Sequence, residues 1–435
     1  MSGSWAGLRT GMAAHPGDTS DPQGQVCRIM TRKVFLVQEI IPSYRVPVFQ
    51  RLARLDGVDL TVFYGRPSRM MQRDNLQNAA TIDGFRHARI RLWEVGSRSW
   101  QPGILWKVLI GHPDVVIAGG GERVDRLLLL LICRLFGIRI LWFEGGVPYI
   151  DETKIREYVR NGFLNRWFGG HNPRSWLAQK ANGLIVYSEH ARQYYLAAGF
   201  PARAIWVAPN APDTEALAGY RAAWLRRSKE LEAERKRFAP SGQRILFLLG
   251  RLNSARRVDL LLDAMRCLKD RGLAPSLVIV GDGSERQRLS DMAAHLGLDH
   301  VFFEGAIYDD LTLSKYFMVS DIFVSPGISS LAVKMAMAFG RPVVTAEFGL
   351  EVHDVQDGVN GFIFPVGRTD MLAERLQRLL ESDDLRTRMG QNGLAVIQDR
   401  INIGRMVDGF RQAIFAEPPQ GATDLDVGSP GPHRP

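Results

Sequence analysis

RILFLLGRLNSARRVDLLLDAMRCL, residues 244–268, decides the fold. An unbroken apolar run ends at Gly250. A short basic loop carries Arg251, Arg256 and Arg257, and apolar residues then recur at helical spacing from Val258. Such a run reads as a parallel strand covered on both faces, and strand–loop–helix is the repeating step of a doubly wound α/β unit. Sheets of this kind take ligands at the carboxyl ends of their strands, where a helix N-terminus offers N–H groups to an anion. Guanidinium groups at that edge suit a diphosphate. The competing reading is a solvated basic face, or arginines paired with acids such as Asp259.

The same pattern extends in both directions. KVFLVQ, DLTVFYG, DVVIAGG, RILWFEGG, GLIVYSE and AIWVAPN read as strands of a first half, and RILFLLG, SLVIVGDG, VFFEGAI, DIFVSP and RPVVTAE as strands of a second. At 435 residues the chain is too long for one ordinary core. The expected architecture is α/β, two Rossmann-like doubly wound domains facing a cleft. Its parts are a disordered tail at 1–31, a first domain at 32–210, an exposed charged linker helix at 211–242, a second domain at 243–397, a helix at 398–416 crossing back to the first, and a disordered tail at 417–435. Met30, just before the first strand, is an alternative start.

Composition is that of a globular protein, 46% hydrophobic and 23% charged, with a formal net charge of +9. The excess of cations suits anionic partners, and no RNA- or DNA-reading motif accompanies it, so nucleic acid is not expected. Cys27, Cys133 and Cys267 are far apart, with no CxxC and no Cys/His cluster. Neither a disulfide framework nor a metal site is indicated, and a reducing cytoplasm fits. LLLLLICRLF, after Arg126, is too short to span a bilayer and reads as a buried helix.

Taken in order, GRLNSARRVDLLLDAM, VIVGDGSERQRL, FEGAIYDDLTLSKYFMVSDIFVSPG, FGRPVVTAE and DGVNGFIF resemble the nucleotide-sugar domain of family-4 glycosyltransferases, retaining enzymes of the two-domain GT-B type. IIPSYRVPVFQRLA, PDVVIAGGG, LIVYSEHARQYYLAAG and WVAPNAPDTEAL resemble the acceptor-side domain, so the likeness covers about residues 33–416. It implies transfer of a sugar from a nucleoside diphosphate sugar, of UDP or GDP type, to a glycan or lipid-linked acceptor, in surface polysaccharide biosynthesis. It implies no metal or other cofactor, because cationic side chains and backbone amides meet the diphosphate. Arg251 matches the family's arginine, and Arg256 stands where lysine is usual. Both are expected on the diphosphate beside Gly250. Arg257 stands where glycine is common and reads as surface. Gly305, Ala306 and Ile307 are placed to frame the base, although Ile307 also fits a core position. Asp282 reads as a helix cap.

The chain departs from the family where a Glu-x7-Glu pair is usual. Within SPGISSLAVKMAMAFGRPVV, Gly327 takes the first position and Met335 the second, and Ser330 replaces a glycine. Backbone N–H groups from Gly327 through Ser329 and Ser330 to Leu331 remain available to phosphate or sugar oxygens, and Glu351 is a nearby carboxylate. This motivates an alternative, a non-catalytic relative kept as a binding or partner subunit. On the acceptor side, Glu144, followed by Gly145, either orients an acceptor hydroxyl as a catalytic group or caps a helix. Gly120 and Gly121 lie in a glycine-rich turn that either approaches a phosphate or only turns tightly. Arg45 either faces the cleft or is a solvated helix-start arginine, and His190 reads as a surface-helix residue. SWQPGILWKVLIG and FLNRWFGGHNPRSWLAQKA mix aromatic and basic residues, which suits either the inner face of an anionic membrane or plain helix packing. The first strand lacks GxGxxG, which disfavours an oxidoreductase, while a nucleotide-sugar epimerase would share the architecture.

Overall fold

The structure, a computed structural model, describes residues 30–69, 77–95, 98–119, 124–144, 180–328, 331–349 and 351–417. The expected tails, apart from their inner ends, and most of FLNRWFGGHNPRSWLAQKA lie outside them.

The first half contains β1 (Arg32–Val37), β2 (Val58–Tyr64), β3 (Arg86–Arg89), β4 (Trp93–Val95), β5 (Arg98–Trp100), β6 (Val115–Gly119), β7 (Arg139–Glu144), β8 (Gly183–Val186) and β9 (Ile205–Val207). Seven of these form one parallel sheet in the order β3-β2-β1-β6-β7-β8-β9, and β4 and β5 pair separately as an antiparallel ribbon. Its helices are α1 (Val46–Ala53), α2 (Gly103–Gly111), α3 (Val124–Leu135) and α4 (Glu189–Ala197).

The second half begins with α5 (Thr214–Leu225) and α6 (Ser228–Phe238) and continues through β10 (Ile245–Leu249), α7 (Val258–Asp270), β11 (Ser276–Val280), α8 (Arg286–His295), β12 (Val301–Gly305), α9 (Asp310–Val319), β13 (Ile322–Ser325), α10 (Leu331–Ala338), β14 (Val343–Ala346) and β15 (Gly361–Phe364) to α11 (Thr369–Glu381) and α12 (Asp383–Asp399). Its strands lie in the order β12-β11-β10-β13-β14-β15. Apolar runs such as ILFLL and SLVIV are buried because helices cover both faces.

Three expectations change. The charged stretch at 211–242 is two helices packed on the second sheet, not one exposed linker. Its sparse apolar residues face inward: Leu217, Trp224 and Phe238 are buried, and Trp224 Nε1 donates to Leu311 O at 2.8 Å and to Ser314 Oγ at 3.0 Å. LLLLLICRLF is only half-buried. Leu129, Leu130 and Cys133 enter the core, while Leu127, Leu128, Leu131 and Leu135 face outward on α3. The edge strands β3 and β15 were not anticipated. RHAR is too polar to read as a strand, and GFIF is short and opens on a glycine.

The last helix, α13 (Ile403–Phe415), packs against α1, β8 and β9 of the first half. Ile403, Met406, Phe410 and Ile414 join its core cluster. Contact is close: a Cβ added to Gly409 would lie 2.3 Å from Val207 O. Buried Arg139 donates to Ile414 O at 3.0 Å, placing a cation at the negative end of the helix.

Candidate functional site

In the second sheet the chain builds β10, β11 and β12 outward, then returns to lay β13 on the other side of β10. Neighbouring strands therefore send their following loops in opposite directions at the carboxyl ends of β10 and β13, which opens a crevice there. Arg251 and Arg256 follow β10, and Gly327 and Ile328 follow β13. The topology thus brings Gly250, Arg251, Arg256 and Gly327 to one point.

Tight backbone packing shapes this edge. Gly250, Gly281 and Gly305 have φ of 151°, 146° and 77°, and Gly281 N donates to Gly305 O at 2.7 Å. A Cβ added to Gly281 would lie 1.9 Å from Gly250 O, so only glycine fits. The half-buried Arg256 guanidinium lies over Gly250 and donates from Nη1 to Ile328 O at 2.6 Å, while Ile328 N donates to Ala255 O at 3.0 Å. Arg256 thus ties the two crevice loops together. The Arg251 side chain, also half-buried, makes no hydrogen bond or ion pair among the described residues. Arg257 is the left-handed residue before α7 and pairs with Asp259 at 3.1 Å, which removes it from the crevice.

Gly327 has its own reason for lacking a side chain. A Cβ there would lie 2.2 Å from Ala255 O and 2.7 Å from Arg256 O. Loop-on-loop packing fills the space where relatives are expected to carry a carboxylate. Met335 is half-buried against the apolar cluster of Phe317, Phe323 and Met337, and Ile307 packs against the same cluster. Leu331 opens α10, and Ala306 follows β12. Ser329 and Ser330 lie outside the described residues, as does the side chain of Glu351. Asp282 does not cap the next helix. It accepts from Gly283 N at 2.8 Å and pairs with Arg286 at 3.4 Å, and α8 starts later without a side-chain cap. Arg286, which did not stand out in the sequence, lies beside Gly305 and donates to Phe303 O at 3.2 Å.

On the facing side, Arg45 is 4% exposed, which excludes the solvated reading. It donates to Tyr187 Oη at 2.5 Å and to Asn210 Oδ1 at 2.8 Å. Asn210 O in turn accepts from buried Lys334 Nζ at 2.6 Å, and Lys334 pairs with Asp354 at 3.1 Å. A buried polar chain therefore runs from the first half through the connection at Asn210 to α10. Beside it His190, expected on the surface, is buried and stacked on His353 with ring centroids 3.6 Å apart. The residue is hidden because α4 meets the 3-10 turn Glu351–Asp354 of the other half. Neither Lys334 nor Asn210 stood out in the sequence, because their roles depend on contacts between residues over a hundred positions apart. Glu144 ends β7, but its side chain, like Gly120, Gly121 and Gly145, lies outside the described residues. Among the described residues no group of three or more His, Cys, Asp or Glu side chains could hold a metal ion.

Residues 229–396 match the family model of glycosyl transferases group 1. A phosphatidyl-myo-inositol mannosyltransferase of Mycobacterium leprae is 32% identical over 166 residues, 36% of this chain and 42% of that protein. A GDP-mannose-dependent alpha-(1-6)-phosphatidylinositol monomannoside mannosyltransferase of Mycobacterium tuberculosis is 27% identical over 308 residues, 66% of this chain and 77% of that protein. An alpha-D-kanosaminyltransferase of Streptomyces kanamyceticus is 27% identical. The match to it and to the M. leprae protein spans 42% of their lengths. Among solved structures, Anabaena HepE in complex with UDP superposes with TM-score 0.59 at 16% identity, covering 88% of this chain and 99% of that one. The lipopolysaccharide glycosyltransferase WaaG superposes with TM-score 0.57 at 14% identity, covering 88% and 100%. The fold is GT-B, two Rossmann-like domains.

Proposed function

We propose, on the premise that residues 229–396 carry a group 1 glycosyl transferase domain, that the chain transfers a sugar from a nucleoside diphosphate sugar to a glycan or lipid-linked acceptor with retention at the anomeric carbon. The observation that carries this reading is the convergence of Arg251 and Arg256 at the switch point of the second sheet, beside the start of α7. As the bond from sugar to phosphate lengthens, negative charge builds on the leaving diphosphate. Fixed cations and N–H groups favour that state over the bound substrate. No metal or other cofactor is required. UDP and GDP are the donor types to test first, since HepE is a UDP complex and one relative is named GDP-mannose-dependent.

The acceptor side fits a lipid-linked substrate in surface polysaccharide biosynthesis. Trp106 (68% exposed) and Ile110 are exposed on α2, which packs on α3 with its outward leucines, and Lys107 and Arg134 are also exposed. Apolar anchors flanked by cations suit the interface of an anionic membrane. No helix among the described residues is long and apolar enough to cross one. Flotation with anionic liposomes at low salt tests this; the protein left at the bottom of the gradient counts against it.

A second reading is favoured by one observation: the positions of the usual carboxylate pair are a glycine under a packed loop and a half-buried methionine packed on the core. It makes the chain a binding subunit without turnover. A thermal-shift panel of UDP and GDP sugars, repeated with Arg251→Ala, separates the cases. A donor stabilises the parent and not the variant. Release of nucleotide then identifies transfer, and stabilisation without release identifies the second reading. Stabilisation equal in parent and variant removes both.

A further inference from the structure

The opposite edge of the second sheet, at the strand N-termini, holds a separate cluster of charge. Arg221, Arg244, Arg341 and Arg386 line a cavity of about 320 Å³ with Asp321 and Asp383. At roughly 3.3 Å per residue, β10 alone sets this edge about 16 Å from the nucleotide edge. Both carboxylates are already shared. Asp321 pairs with Arg235 at 2.9 Å and Arg244 at 3.5 Å, and it also accepts from Ile245 N at 2.8 Å. Asp383 pairs with Arg244 at 2.7 Å and with Arg386. Arg221 and Arg341 have no carboxylate partner among the described residues. Arg341 donates from Nη1 to Ser320 O at 2.8 Å, but its Nε is buried without a partner. Burial lowers the Arg341 pKa to about 10, with Asp321 opposing and Arg221 and Arg235 adding to the fall.

A cavity lined by four guanidinium groups and two carboxylates, both of the carboxylates already paired, lacks an anion to balance it. Its size is at the lower end of small-ligand pockets. We propose that this cavity is a second anion site, in which Arg221 and Arg341 hold the phosphate group of a small phosphorylated molecule. The proposal does not depend on sugar transfer. Guanidinium pairs meet phosphate oxygens two at a time, which selects phosphate over chloride.

The test uses the full chain carrying Arg251→Ala and Arg256→Ala, so that the nucleotide edge is silent. Inorganic phosphate and pyrophosphate are titrated by calorimetry against potassium chloride of equal ionic strength. Saturable binding is expected, and adding Arg221→Gln weakens it at least tenfold. Arg221 has no ion pair among the described residues, so its loss spares the fold, and an unchanged melting temperature in chloride verifies that. Arg341→Lys, which keeps charge but loses the planar fork, weakens pyrophosphate as well. Binding no stronger than chloride, or equal affinity with Arg221→Gln, overturns the proposal.

Discussion

The first sheet takes a principal cover, α13, from the far end of the chain, whereas the second is covered by helices that lie beside its own strands in sequence. Arg139 and Phe143 on β7 meet Ile414 and Phe410 across more than 260 residues. In the second half α7 and α11 cover one face and α9 and α10 the other. The first half therefore depends on a contact of high sequence separation, and the second half does not. Phe410→Ala should separate them. Phe410 is fully buried, and such truncations cost about 3–5 kcal/mol. The loss should appear as earlier melting of the first half, while donor titration below that temperature still reports the second. A single unchanged transition would show that the halves do not differ in this way.

The next effect is local to the second half. Gly327→Ala drives a Cβ into the backbone at Ala255 and Arg256, so one crevice loop must move and Arg256 loses its hold on Ile328. Donor affinity should fall roughly ten- to hundredfold, about 1.4–2.8 kcal/mol, with the first half's melting unchanged. Calorimetric titration checks it. Unaltered affinity would mean that the loop packing at Gly327 does not shape the donor site.

These contrasts explain what the residues revealed unaided. Apolar runs such as ILFLL and helices such as VDLLLDAMRCL state their burial locally, so the two-sheet architecture was legible. The placement of Arg251 and Arg256 at the carboxyl end of β10 was legible because a strand end and a helix start bracket them. The identity at Gly327 was legible as a departure, but its cause was not, since the clash is with a loop seventy residues earlier. LLLLLICRLF misled because outward leucines on α3 look like core until the helix is rolled against its sheet. Trp224 and Phe238 were hidden among arginines and glutamates, where charge density suggested solvent. Arg45, Asn210, Lys334 and His190 matter only once the two halves meet.

The smallest effect probes that meeting. His353, from the second half, stacks on His190 of the first. Burial, then His190 and Lys334, lowers its pKa to about 3. An unfolded histidine titrates near 6.5. Between those values the unfolded chain binds more protons, so stability falls as pH drops below about 6.5 and is constant above it. At pH 5.5 the loss from this group is about 1.4 kcal/mol. Asp354 and Lys334 face the same junction but pair with each other. Melting temperatures from pH 7.5 to 5.5 should fall more steeply in the parent than in His353→Gln. The difference should be confined to the transition in which the halves part. Parallel pH profiles would mean that His353 is not held neutral at this junction.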